Sequence, residues 1–294
     1  MKKILLMISF LISLPLVHAQ EEKCGLSNLA ACISQKLYEY TLSIINAPLQ
    51  PFLTLVKNLL AEPVNIEIFI SIWAVIIYIL SIFYGLFLIF AGFNFLISGY
   101  SAEKRESAKM WLRHVILMMI FIQASYYLYS ILIDLSSSMT AGILDMIDQK
   151  FFLLTVDSFT SLGIQLILAI PYMLALLLSV ILLALRYILV STGVLFFPIG
   201  LFFYFIPPLQ SYGKLVINVL LTVMFLPFIQ SLILLAASKI MDLPSFQNYK
   251  IVIMVSAFIL INLSMLLLIL FALAKAAMNV MSSDVGRAVA IVAK

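Results

Sequence analysis

Apolar residues run along this chain in long blocks separated by short polar ones, and five blocks approach or exceed the length of a membrane crossing. They are Ile66–Ile97, Trp111–Ile133, Leu162–Ile206, Leu215–Ala237 and Ile251–Ala274. A spanning helix needs about 20 apolar residues to cover about 30 Å of hydrocarbon. The pattern predicts an all-α fold, a polytopic transmembrane helical bundle of five to six spans. It divides the chain into residues 1–19, 20–65, a transmembrane domain over 66–274, and a basic tail over 275–294.

The first two segments differ in kind. Residues 1–19 have the form of a signal peptide: Lys2 and Lys3, an apolar run from Ile4 to Leu14, then Val17-His18-Ala19 as a cleavage site. Cleavage would leave Gln20 onward outside. Cys24 and Cys32 would then sit in an oxidising compartment as a candidate disulfide. On one continuous helix they would stand about 12 Å apart, whereas a disulfide needs Cα atoms within about 7 Å. The bond therefore requires a bend, which Gly25 and Ser27 can supply. Between residues 29 and 60, Leu29, Ile33, Leu37, Tyr40 and Ile44 recur at helical spacing, Pro48 and Pro51 interrupt, and Phe52, Leu55, Val56 and Leu59 resume. The expectation is two extracytoplasmic amphipathic helices, lying on the outer membrane face or on another exported protein.

Composition agrees with a membrane solvent. Of 294 residues, 65% are hydrophobic, and mean hydropathy is +1.20; a soluble domain is about 45–50% apolar. The placement of charge sets orientation. Lys104, Arg105, Lys109 and Arg113 crowd residues 98–114, read as the first cytoplasmic loop by the positive-inside rule. Asp134, Asp145, Asp148 and Asp157 make 134–161 an acidic outer loop. Leu162–Ile206 is too long for one simple crossing, so either two spans turn tightly at Arg186, or one span continues into a surface helix. An odd number of crossings there puts Lys214, Lys275, Arg287 and Lys294 inside, and favours five spans with the C-terminus inside over six. The chain is thus expected in the cell membrane, multi-pass, with its N-terminus outside after signal cleavage.

Candidate chemistry is sparse. The sequence holds no H-E-x-x-H, G-x-S-x-G, aspartate-rich diphosphate motif or G-x-x-x-x-G-K-[ST] loop. Of two histidines, His18 lies in the signal peptide, which leaves His114 alone, and a zinc site usually needs three or four ligands. The expectation is a protein that is not an enzyme and carries no catalytic, cofactor-binding or metal site. Arg186 is the costliest residue inside an apolar block. With Gln123, Gln165, Asn218, Gln230 and Asn262 it either lines a translocation path or serves as polar structure between helices. Gly85, Gly92 and Gly99 recur every seven residues and suggest close helix packing. Arg105, Lys109 and Arg113 fall on one helical face, as topology alone would place them, or as a dock for a cytoplasmic motor, anionic lipid or nucleic-acid phosphate.

Three stretches carry a resemblance: Ala91–Lys109 (AGFNFLISGYSAEKRESAK), Leu185–Gly200 (LRYILVSTGVLFFPIG), and Ile206–Gln230 with Pro207, Pro208, Lys214 and Pro227. The chain resembles the TrbL-like polytopic membrane subunit of type IV secretion and conjugation systems, including archaeal CedA-type DNA-transfer proteins. Arg186 and Pro198 match the family's arginine and proline positions. The large central extracytoplasmic domain of some members is missing. The resemblance implies a non-enzymatic channel or platform subunit in a homo-oligomer, surrounded by membrane lipid. Its partners would be a cytoplasmic ATPase and a pilin, and DNA or protein would be the cargo. The competing readings are a small-solute secondary transporter, which should work alone, and a membrane scaffold or assembly factor, which should tolerate apolar replacements such as Gln165→Leu.

Overall fold

The apolar blocks fold as helices because each can satisfy its backbone hydrogen bonds internally, as a bilayer demands. The computed structural model describes residues 29–152, 162–246 and 249–282. Among these, seven α-helices occur: α1 Leu29–Ala61, α2 Ile70–Ile97, α3 Ala102–Gln123, α4 Ser125–Leu144, α5 Leu162–Phe205, α6 Gln210–Met241 and α7 Lys250–Ser282. Short 3-10 turns precede α2 and separate α2 from α3 and α5 from α6. Five helical stretches are long and apolar enough to cross a membrane: Glu67–Ile97, Ser125–Leu144, Ile167–Phe205, Gln210–Met241 and Lys250–Ala272. The chain is a multi-pass helical membrane protein.

Several boundaries differ from expectation. α1 is one helix through Pro48 and Pro51, not two. Each proline removes one backbone donor, but both prolines, and Ile44 and Ala47 one turn before them, are on the exposed side. The opposite stripe, Leu49, Leu53, Val56 and Leu60, is buried in an apolar core and holds the helix together. The basic residues of 98–114 all lie within α3, where the Ser101 hydroxyl accepts from the Lys104 N–H at 3.3 Å as an N-cap. The expected acidic loop begins late, because α4 continues through Asp134 to Leu144. α3 and α4 are separated by a one-residue turn at Ala124, whose N–H donates to Ile120 and whose carbonyl accepts from the Leu128 N–H, both at 3.0 Å.

α5 settles the ambiguity at Arg186. It runs 44 residues without a turn, about 66 Å at 1.5 Å per residue. The alternative of two spans turning at Arg186 is overturned. The sequence around it, Val180–Val190, holds no glycine, proline or asparagine to make a turn. The arginine also has no need of an aqueous turn, as its bonds show below.

The chain forms two compact units, and apart from the limit between Glu62 and Pro63 their limits fall inside helices. One comprises residues 138–184 and 227–265 with the chain up to Glu62; the other comprises 63–137, 185–226 and the chain from Leu266. In the first, Leu49, Val56, Phe151, Tyr172, Leu176, Leu234, Met254 and Phe258 pack together. In the second, α2 and α3 form an antiparallel hairpin. Phe90 meets Trp111 with ring centroids 5.5 Å apart, and Trp73 meets Tyr126 at 5.5 Å while its indole N–H donates to the Ser125 hydroxyl at 3.0 Å.

Candidate functional site: two buried polar nodes

In the second unit the centre is Arg186, 4% exposed. Its Nε donates to the Val223 carbonyl at 3.1 Å and an Nη donates to the Met224 carbonyl at 3.2 Å. These acceptors lie one turn before Pro227, which sits inside α6. A helix bonds N–H(i) to the carbonyl at i−4. Pro227 has no N–H, so the Val223 carbonyl lacks its ordinary partner. Arg186 supplies the missing donor from α5. Ser136 of α4 also donates to the Met224 carbonyl, at 2.8 Å. Nearby, the Tyr129 hydroxyl donates to the Val190 carbonyl at 2.6 Å. Three helices are thus tied through main-chain carbonyls. Such bonds are costly to lose where water is excluded.

In the first unit the node is an amide clamp. Asn262 of α7 donates through Nδ2 to the Ala175 carbonyl and accepts through Oδ1 from the Ser179 hydroxyl, both at 2.9 Å. Both partners belong to one turn of α5. Gln230 of α6 is fully buried. Its Nε2 reaches the Ile261 carbonyl at 3.5 Å, while its Oε1 has no hydrogen-bond partner among the described residues.

The residues singled out from sequence therefore separate. Arg186, Gln230 and Asn262 are buried and bonded between helices, Gln123 and Asn218 are exposed, and the side chain of Gln165 lies outside the described residues. Lys104, Arg105, Lys109 and Arg113 are all exposed on α3, with Lys109 3.9 Å from Glu106. The signal peptide, Cys24 and the side chain of Cys32 lie outside the described residues, as do Arg287 and Lys294. Among the described residues no group of three or more His, Cys, Asp or Glu could hold a metal ion.

Nothing lies within 4 Å of where a Cβ would stand on Gly85, Gly92 or Gly99, so among the described residues that stripe packs on no neighbouring helix. α2 buries Ile77, Leu80, Tyr84 and Ala91 instead. Close packing falls to glycines without regular spacing. A Cβ on Gly193 would strike the Tyr129 hydroxyl and come 2.7 Å from Leu220. One on Gly213 would stand 2.6 Å from the Tyr204 Cα and 2.7 Å from the Gly200 carbonyl oxygen. Gly85→Ala and Gly92→Ala are expected to leave the purified protein's stability unchanged or raise it by about 0.5–1 kcal/mol each, the helix-propensity gain. Thermal unfolding in detergent checks this, and a loss above about 1 kcal/mol would mean that the stripe is packed.

Tyr129, Ser136 and the Arg186–Pro227 pairing were missed in the sequence. The available signal was a proline inside one span together with an arginine inside another: a donor gap and a buried donor. No family model matches the chain, and no curated protein or solved structure matches it.

Proposed function

We propose that this chain is a non-enzymatic channel or platform subunit of a type IV secretion-like apparatus that transfers DNA or protein across the cell membrane. Its outer N-terminal region would face external components such as a pilin. The exposed Arg105, Lys109 and Arg113 face of α3 would meet the cytoplasmic ATPase that supplies the energy, and copies of the chain would assemble side by side. The observation that supports this reading is the Arg186 node. Two of the three stretches that carry the family resemblance, Leu185–Gly200 and Ile206–Gln230, meet there through Arg186, Val223 and Met224. Arg186, which stands out in the second stretch, bonds to carbonyls one turn before Pro227 of the third.

One observation favours the transporter as second reading: the unpartnered Gln230 Oε1 is a buried acceptor of the kind that can bind a solute. The two separate in the native host. Depletion of the chain should abolish transfer of a marked plasmid or secreted protein, and re-expression should restore it. Undiminished transfer after depletion, with loss of uptake of a small solute, would replace this reading with the transporter.

A further inference from the structure

An apolar groove opens between α2 and α5 in the second unit, with a volume of about 310 Å³ and no polar atom in its lining. Its walls include Ile76, Ile79 and Phe83 of α2 and Ile199, Phe202 and Phe203 of α5. Both helices belong to membrane-crossing stretches, and Ile79 and Phe83 are themselves exposed. The medium at the groove is therefore hydrocarbon. Water has no partner there, while an acyl chain gains dispersion contacts on several sides.

Tyr204, the residue after Phe203 at the α5 end of the groove, has a cation over its ring. Phe203 precedes Tyr204, whose backbone packs directly on Gly213 at the start of α6. Lys214 follows, exposed, with Nζ 6.0 Å from the centre of the Tyr204 ring. The chain turns through Pro207–Leu209 at this point. A lysine and a half-exposed tyrosine at a helix turn are the pairing found where a span meets headgroups. We infer that this place is an anionic phospholipid site: one acyl chain lies in the α2–α5 groove and the headgroup phosphate pairs with Lys214. The groove alone would accept any acyl chain. Lys214 supplies the preference for negative charge, worth about fivefold for one lysine near the surface. The site is independent of the proposed function.

Native mass spectrometry of the full chain in mild detergent tests the inference, with equimolar phosphatidylglycerol and phosphatidylcholine of identical chains as probes. The expected result is a phosphatidylglycerol adduct favoured by about fivefold. Lys214→Gln should bring the two lipids level, Lys214→Arg should keep the preference, and Ile79→Trp, which fills the groove from an exposed position, should lower both adducts at least about threefold. Equal binding of both lipids by the unaltered chain, or unchanged adducts in either Lys214→Gln or Ile79→Trp, would overturn the site.

Discussion

Arg186→Leu will destabilise the protein by about 3 kcal/mol, and much of that loss will disappear when Pro227 is also replaced by alanine. Two opposed effects set the figure. Removing a buried guanidinium relieves its desolvation, which for buried ions amounts to several kcal/mol. It also removes two charge-assisted hydrogen bonds of about 1.5–3 kcal/mol each, and strands the Val223 carbonyl in a dry interior. Met224 keeps the Ser136 hydroxyl; Val223 has no such reserve from Pro227. The stranded carbonyl wins, because a backbone acceptor cannot move out of the membrane interior to find water. Pro227→Ala restores an N–H in register with Val223, so the carbonyl no longer depends on Arg186. The double-mutant cycle should therefore show coupling of about 1.5 kcal/mol or more, measured by unfolding in detergent. Equal costs of Arg186→Leu in both backgrounds would show that the arginine does something other than fill the proline's gap. Arg186→Lys should recover only part of the loss, since one ammonium on a flexible stem does not reproduce the planar fork that reaches both carbonyls.

Gly213→Ala should cost about as much, near 3 kcal/mol, by a different route. The added methyl would meet backbone at Tyr204 and the Gly200 carbonyl oxygen. No side-chain rotation can relieve a clash with backbone, so α5 and α6 would have to separate at their turn. The matched control is Gly85→Ala, the same chemical change at a position with open space around it. A large loss at Gly213 with none at Gly85 distinguishes a tight crossing from a general intolerance of alanine. Equal effects at the two positions would contradict the crossing.

Four of the five spans were legible because hydrophobicity over 20 or more residues is a solvent requirement; the expected Trp111–Ile133 is instead divided at Ala124, and the apolar stretch long enough to cross is Ser125–Leu144. Interruptions were misread for the converse reason. Pro48 and Pro51 are helix breakers by local rule, yet α1 crosses both because its carbonyls on that side are exposed and its other face is anchored in a core. Arg186 suggested a turn because a lone charge is expensive in lipid. Its cost is offset by acceptors on α6, 37 positions away in the chain, and no window of local sequence reveals that distance. The glycines teach the same point. The regular spacing of Gly85, Gly92 and Gly99 drew attention, while the glycines that touch a neighbouring helix, Gly193, Gly200 and Gly213, follow where helices cross. For the site, residue type was a good guide to burial at Arg186, Gln230 and Asn262 and a poor one at Gln123 and Asn218. An amide within an apolar run does not say which side of its helix faces protein.

The functional reading stands on assembly with other proteins. The most direct measurement is purification of the tagged chain from its native membrane in mild detergent, followed by mass spectrometry of everything recovered with it. Recovery with a secretion-type ATPase or a pilin is the expected result. Recovery as a lone monomer or small homo-oligomer, active in solute flux after reconstitution, would contradict it.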